Sequence, residues 1–456
     1  MLLTLTNPYN GNIVGELAYD NQKNIEHKLQ LATLAYEHWK TQPLEQRIEK
    51  IHGALQYFKT HRLQIATEIT SQMGKPITES NREMDVFLKR AYHLVSIAEE
   101  SLSPELLPEK RGVHRRIEHF PLGIILNIAA WNYPLLIAVN VVIPALLAGN
   151  VVLLKHSALT PLCGLHFEKA FNSVFQGLVN NMILTHEQTN KLVQDSRIAH
   201  IAFTGSVEGG KQIYTSLAER IVTCGMELGG KDAAYIAQDS DLDFSVPNIV
   251  EGACYNAGQS CCAIERVYVH KSKFDEFLEK ASAIVEKIKL GDPLQTETEI
   301  GPLASASAPA FLQSQIDDAI KKGAKVIATG AQMTESKGSF FAPVLIANTP
   351  NNSRIMQEES FGPVIPVARV LDDDEAIQKI NDSPFGLTAS IWTNDRQRSE
   401  SFARSIHAGT IFQNRCDYLD PGLPWTGVKN SGFGSTLSSY GFIQLTHRKS
   451  IHFRDS

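Results

Sequence analysis

The sequence predicts an α/β protein of two lobes, each built on a largely parallel sheet flanked by helices. Three observations lead there. From residue 120 onward, apolar strand-like runs alternate with amphipathic stretches. A second alternating set follows residue 227. The chain of 456 residues also exceeds the about 250–300 at which a single hydrophobic core stops growing.

In chain order, Met1–Asn10 has no basic residue ahead of an apolar stretch, so no export signal is expected. Residues 22–100 read as helical, because Ile25, Leu29, Ala32 and Ala35–Tyr36, then Ile48, Ile51, Leu55 and Phe58, recur at helical spacing. Arg115–Phe120 is β-like, with alternating polar residues. The uncharged segment Phe120–Leu154 is long enough to be tested as a membrane span. It fails, because Asn132, Pro134, Asn140, Pro144, Gly149 and Asn150 divide it into strand, turn, helix and strand. The first set comprises strands Ile124–Ala129, Val151–Leu154, Ile198–Phe203 and Ile221–Cys224, with helices Leu135–Leu147, Leu162–Phe175 and Glu208–Glu219. The second has strands at Val267–Val269, Lys325–Ala328, Ile365–Val370, Thr388–Trp392 and Thr410–Phe412, and a helix at Phe274–Ile288. Leu445–Phe453 is again β-like. A ligand cleft between the lobes is the default expectation.

Composition narrows the partners. The net charge is -6, and no basic run marks a nucleic-acid or anionic-membrane surface. Among six cysteines there is no C-x-x-C pair, so neither a zinc site nor a disulfide framework is indicated and no metal is expected. Free thiols without an export signal point to the cytoplasm.

Five segments carry chemistry. Ile198–Phe203 feeds Thr204-Gly205-Ser206 and then a helix, which aims unpaired N–H groups and a positive dipole end at an anion such as a pyrophosphate. A plain strand-to-helix turn is the competing reading. Lys155, at a strand's carboxyl end, suits a ribose or phosphate; a solvated lysine competes there. Tyr255-Asn256-Ala257-Gly258-Gln259-Ser260-Cys261-Cys262 sets a thiol after a glycine-bearing turn, and a thiol of pKa about 8.5 needs activation near neutral pH. Glu227, in Met226-Glu227-Leu228-Gly229-Gly230-Lys231, ends a strand with two glycines behind it. An inert buried cysteine and a solvated strand-end glutamate are the competing readings. The amide of Asn132, in the Pro-bearing turn Trp131-Asn132-Tyr133-Pro134, is a candidate oxyanion donor.

Taken together, these motifs resemble the aldehyde dehydrogenase superfamily over essentially the whole chain. Trp131–Pro134, Phe203–Ser206, Glu227–Gly230 and Asn256–Cys261 fall in family order, with 34 residues from Glu227 to Cys261. Glu358–Pro363, Gly409–Asn414 and Pro424–Gly434 follow in the same order. The resemblance implies a Rossmann-like cofactor domain (1–110 and 121–226, with 427–444 returning to it) and an α/β catalytic domain (227–426). It also implies a small β oligomerisation element (111–120 and 445–456) and a homodimer or homotetramer. It implies NAD or NADP as cofactor, held by Trp131, Lys155, Ser157, Gly205, Ser206, Leu228, Glu359 and Phe361. The implied mechanism has the Cys261 thiolate attack the aldehyde carbon, with Asn132 and a backbone N–H holding the oxyanion of the thiohemiacetal. Hydride transfer to the nicotinamide then leaves a thioester, and Glu227 activates water to release the acid. Cys262 is expected only to pack.

Lys155-His156-Ser157-Ala158 departs from the family pattern, which often ends in glutamate. Ala158 removes a repulsion against a 2′-phosphate, so use of both NAD and NADP is expected. Leu153–His156 resembles a subgroup similar to bacterial succinate-semialdehyde dehydrogenases, which makes succinate semialdehyde the leading substrate. Members of that kind carry arginines for the distal carboxylate at the positions held here by Asn140 and Tyr255. The loop Arg415–Trp425 offers Arg415, but also Asp417 and Asp420. Uncharged aliphatic or aromatic aldehydes therefore remain open, in a pocket of Tyr133, Ile137, Asn140, Tyr255, Ser260, Leu419 and Trp425. A CoA-acylating semialdehyde dehydrogenase and an inactive structural homologue remain open as well.

Overall fold

A computed structural model describes residues 1–333 and 338–455. Residues 334–337 of the expected catalytic domain and Ser456 of the expected terminal segment lie outside the described residues. Ile124–Ala129 and Val151–His156 are buried at every position, as strands covered on both faces must be, and they pair in parallel at the centre of a six-stranded sheet. The order across it is Gly432–Phe433, Thr223–Glu227, Ile198–Thr204, Ile124–Ala129, Val151–His156, Val179–Asn181. Only the two-residue edge strand Gly432–Phe433 runs antiparallel.

The second sheet has seven strands, in the order Lys325–Thr329, Val344–Ala347, Val364–Val370, Ile264–His270, Asp232–Ile236, Thr388–Trp392, Thr410–Gln413. Its first strand alone is antiparallel. Two separate hydrophobic cores cover the sheets, one gathered mainly from residues before 227 and one from residues 233–406. The α/β architecture expected from the alternation is thus observed. Outside the two sheets, Thr446–Arg454, Val113–Pro121 and Glu105–Leu106 form a three-stranded antiparallel sheet, and Leu2–Thr6 pairs with Ile13–Ala18.

Phe120–Leu154 folds as anticipated: a strand end, the strand Ile124–Ala129, the helix Pro134–Leu147 and the next strand. Pro134 at the first turn suits a helix start, because its missing N–H has no partner there anyway. No helix among the described residues is long and apolar enough to cross a membrane. The helix Ile77–Ser96 packs along Pro134–Leu147 and buries one face of that segment.

Some boundaries differ from expectation. The strand foreseen at Ile221–Cys224 runs instead from Thr223 to Glu227. Pairing of His200 with Thr223 and of Thr204 with Glu227 sets its register, and Ile221 is left fully exposed. Val151–Leu154 extends to His156, so Lys155 lies within the strand. Val179–Asn181, Asp232–Ile236 and Val344–Ala347 are strands that the apolar pattern left unassigned.

Candidate active site

Cys261 lies just past a strained turn. Asn256 and Ala257 adopt left-handed backbone at φ 52° and 55°, followed by Gly258 at 70°. Successive non-glycine residues in that region persist only when surroundings hold them. Here the holding is explicit. The Asn256 N–H donates to Glu79 Oε2 at 2.9 Å, and its amide donates to the carbonyls of Asn132 and Gln259 at 3.1 Å. A Cβ on Gly258 would strike the Gly362 carbonyl, so the turn also rests on the segment after Glu359.

Asn132 and Cys261 belong to one hydrogen-bonded unit, since Asn132 Nδ2 donates to the Gln259 carbonyl at 3.1 Å. That bond uses one amide hydrogen and leaves the other for a ligand. Glu227 is the last residue of its strand. Its side chain is half-buried, and the carboxylate accepts from the hydroxyls of Thr436 and Thr204. Burial pushes its pKa up, against the lowering effect of those two hydroxyls. The following turn touches the nucleophile loop directly, because a Cβ on Gly230 would collide with the Cys261 carbonyl. The structure therefore brings Cys261, Asn132 and the Glu227–Gly230 turn together across the two sheets. Cys261 is partly exposed, and all six cysteines are free.

The residues expected at the cofactor gather beside the carboxyl ends of the first sheet. Ser206 caps the helix Val207–Ser216, its hydroxyl accepting from the Gly209 N–H at 3.1 Å. The Gly205 N–H donates to the Glu227 carbonyl, and Leu228 packs against Gly210. Lys155 is buried, and no acceptor meets its ammonium among the described residues; desolvation pushes its pKa down. With no protein acceptor on its ammonium, Lys155 keeps its donors free for a ligand's hydroxyls or phosphates. Ser157 stands two residues on, its hydroxyl accepting from Leu159 N–H. Glu359 Oε1 accepts from the Gly230 N–H at 2.9 Å, and burial pushes its pKa up to about 8. Trp131 and Phe361 meet edge to face at 5.6 Å, with Phe361 itself in left-handed backbone at φ 56°.

Around the expected substrate pocket, several side chains are already engaged. The Tyr133 ring sits over the Lys75 ammonium, 4.0 Å from its centroid, and Lys75 pairs with Glu83 in a fully buried bridge. Ser260 donates to Asp417 Oδ1 at 2.8 Å, and the Cys262 thiol donates to the same oxygen. Cys262 thus does more than pack. Tyr255 stacks with Arg82 at 5.5 Å, and Arg415, the one arginine that the loop offered, is exposed and lies over Tyr418 at 3.4 Å. Trp425 is buried within the first core, while Ile137 and Leu419 stay partly exposed beside it. Asn140 is buried and accepts from Arg90 Nη1 at 3.0 Å.

Sequence reasoning missed Thr204 and Thr436 as partners of Glu227, Glu79 and Asp417 as buried acids, and Arg90. Thr204 and Asp417 lie inside segments that the motifs single out, but their hydrogen bonds cross between segments. Among the described residues no cluster of His, Cys, Asp or Glu could hold a metal ion.

The aldehyde dehydrogenase family model matches residues 2–451. A succinate-semialdehyde dehydrogenase [NADP(+)] of Deinococcus radiodurans is 33% identical, covering 98% of this chain and 93% of the relative. The crystal structure of succinic semialdehyde dehydrogenase from Streptococcus pyogenes, in complex with NADP+, superposes with a TM-score of 0.95 at 29% identity, covering 99% of this chain and 100% of the other. A betaine aldehyde dehydrogenase from Staphylococcus aureus, in complex with NAD+, gives 0.94 at 29% identity over 99% of this chain and 91% of the other.

Proposed function

Because this chain belongs to the aldehyde dehydrogenase family and is an NAD(P)-dependent enzyme of that kind, we propose that it oxidises succinate semialdehyde to the dicarboxylic acid and releases it by hydrolysis. The observation that carries the reading is the join between the Cys261 loop and the turn that follows Glu227. A sulfur nucleophile and a desolvated carboxylate with a raised pKa are the two groups that acyl formation and hydrolysis need.

The Cys261 sulfur adds to the aldehyde carbon, forming a C–S bond while the carbonyl oxygen takes up negative charge. The free hydrogen of the Asn132 amide stabilises that oxygen. The bound dinucleotide supplies the hydride acceptor. Glu227, steadied by Thr204 and Thr436, takes a proton from the water that attacks the acyl carbon, and the sulfur leaves as thiolate. Retention of Glu227 favours water over CoA as the acyl acceptor.

Lys155, Ser206 and the absence of a carboxylate at Ala158 favour acceptance of both NAD and NADP. The relatives named with NADP+ and NAD+ agree with that breadth. A second reading, oxidation of uncharged aldehydes, is favoured by the partly exposed Ile137 and Leu419. Steady-state kinetics with succinate semialdehyde and hexanal, each with both cofactors and without CoA, separates the two. A higher kcat/KM for hexanal would overturn the leading assignment, and so would a strict requirement for CoA. The three-stranded sheet of Thr446–Arg454, Val113–Pro121 and Glu105–Leu106 supports a homodimer or homotetramer, which light scattering distinguishes.

A further inference from the structure

Arg90 is a buried cation with half its donors idle. It belongs to the helix Ile77–Ser96, which packs along Pro134–Leu147, and is only 4% exposed. Its Nη1 donates to Asn140 Oδ1 at 3.0 Å and weakly to the Leu136 carbonyl at 3.4 Å. Nε is buried without an acceptor, and no acceptor among the described residues meets Nη2. No carboxylate is bonded to it either. Glu83, two turns earlier on the same helix, is held by Lys75 and by the Leu135 N–H. Its bonds to Asn140 and the Leu136 carbonyl set the guanidinium against the helix that follows the Asn132 turn, and the charges it feels most are those of Glu227 and Glu83.

An ionised group kept from water is costly unless an anion or enough acceptors compensate it. A planar fork with two adjacent idle N–H donors suits a carboxylate. Asn140 lies six residues past the helix start at Pro134, roughly 9 Å along the axis at 1.5 Å per residue. The Asn132 turn and the Arg90–Asn140 pair thus stand along one helix, with the oxyanion amide at its start and the cation further on.

We propose that Arg90, oriented by Asn140, receives the far carboxylate of the aldehyde and so restricts the enzyme to short semialdehydes with a terminal carboxylate. The proposal rests on the function given above and assigns its specificity to a residue on a helix outside the family-like motifs.

The test compares kcat/KM for succinate semialdehyde and for butanal in the wild type, Arg90→Met, Arg90→Lys and Asn140→Leu. In Arg90→Met the ratio of the two should fall roughly 10- to 150-fold, the range that a charge-assisted hydrogen bond spans, chiefly through KM. Arg90→Lys, which keeps the charge but loses the fork, should recover part of it. Asn140→Leu should fall between. Succinate should inhibit the wild type competitively against aldehyde and lose that effect in Arg90→Met. An unchanged ratio overturns the proposal. So does an equal loss for both aldehydes, which would make Arg90 the electrostatic partner of Glu227. If the wild type oxidises neither aldehyde, the functional reading fails. Equilibrium dialysis of succinate, abolished by Arg90→Met, would still support Arg90 as the anion's seat.

Discussion

At Glu227 two hydroxyl groups from different segments, Thr204 and Thr436, hold one carboxylate that burial has made harder to ionise. Glu227→Gln keeps the shape and an acceptor for one of the two hydroxyls but cannot take a proton from water. In stopped flow it should retain a burst of reduced cofactor and lose steady-state turnover; disappearance of the burst as well would move Glu227 to activation of the thiol. Asn132→Ala should reduce turnover by about 10²–10³, the effect of removing one oxyanion donor. A loss below tenfold would assign that amide to the Gln259 carbonyl alone. Cys261 and Glu227 stood out as candidates in the sequence because one follows a glycine-bearing turn and the other precedes two glycines. Thr436 and Arg90 did not. A threonine in a terminal loop and an arginine on an amphipathic helix look like ordinary surface residues until the tertiary fold turns them inward.

Among the elements, the two turns that meet at Gly230 form a contact with no room for a side chain. Gly230→Ala must displace the Cys261 backbone, and overpacking of this kind typically costs ~1–3 kcal/mol. Both Tm and kcat should fall together; a fall in Tm with unchanged kcat would show that the nucleophile tolerates the shift. The helix Ile77–Ser96 sets Glu79 beneath the strained Asn256, where burial pushes its pKa up to about 8. In the unfolded chain a glutamate titrates near ~4.3. Glu79 therefore contributes stability that is fully present below that value and lost as pH rises through about 8. Glu79→Gln, which still accepts the Asn256 bond, should gain in Tm over the wild type as pH rises from 5 to 9. A difference independent of pH would refute this. Elements were legible where apolar runs were long and bounded by glycine or proline, as at Ile124–Ala129. Asp232–Ile236 and Val179–Asn181 escaped because alanines and asparagines weaken the apolar signal, and only parallel neighbours make strands of them. Ile221 misled for the opposite reason: it is apolar, β-branched and outside the sheet.

Over the whole molecule, two cores and two parallel sheets followed from chain length and alternation alone, because a parallel sheet needs helical crossovers of predictable size. The contact of Gly230 with the Cys261 loop was not legible, since nothing in the local pattern encodes how one segment is set against another. Lys155, at the carboxyl end of the strand Val151–His156, is the residue through which we propose that this architecture meets the cofactor. Unpartnered in the free protein, its ammonium should weaken the apo state and strengthen the complex. Lys155→Met should therefore raise the Tm of the apo protein while shrinking the rise produced by NADP+. For the wild type at 100 times Kd, that linkage amounts to about 2.7 kcal/mol. A variant with lower apo Tm and an undiminished shift would remove Lys155 from the cofactor site.

The solitary ammonium of Lys155 also bears on how long each copy of the protein survives. Proteases cut chains that open, and a ligand that binds only the folded chain makes opening rarer, so an empty molecule opens more often than a filled one. In a protease digest, copies without pyridine nucleotide should then be degraded before those that hold it.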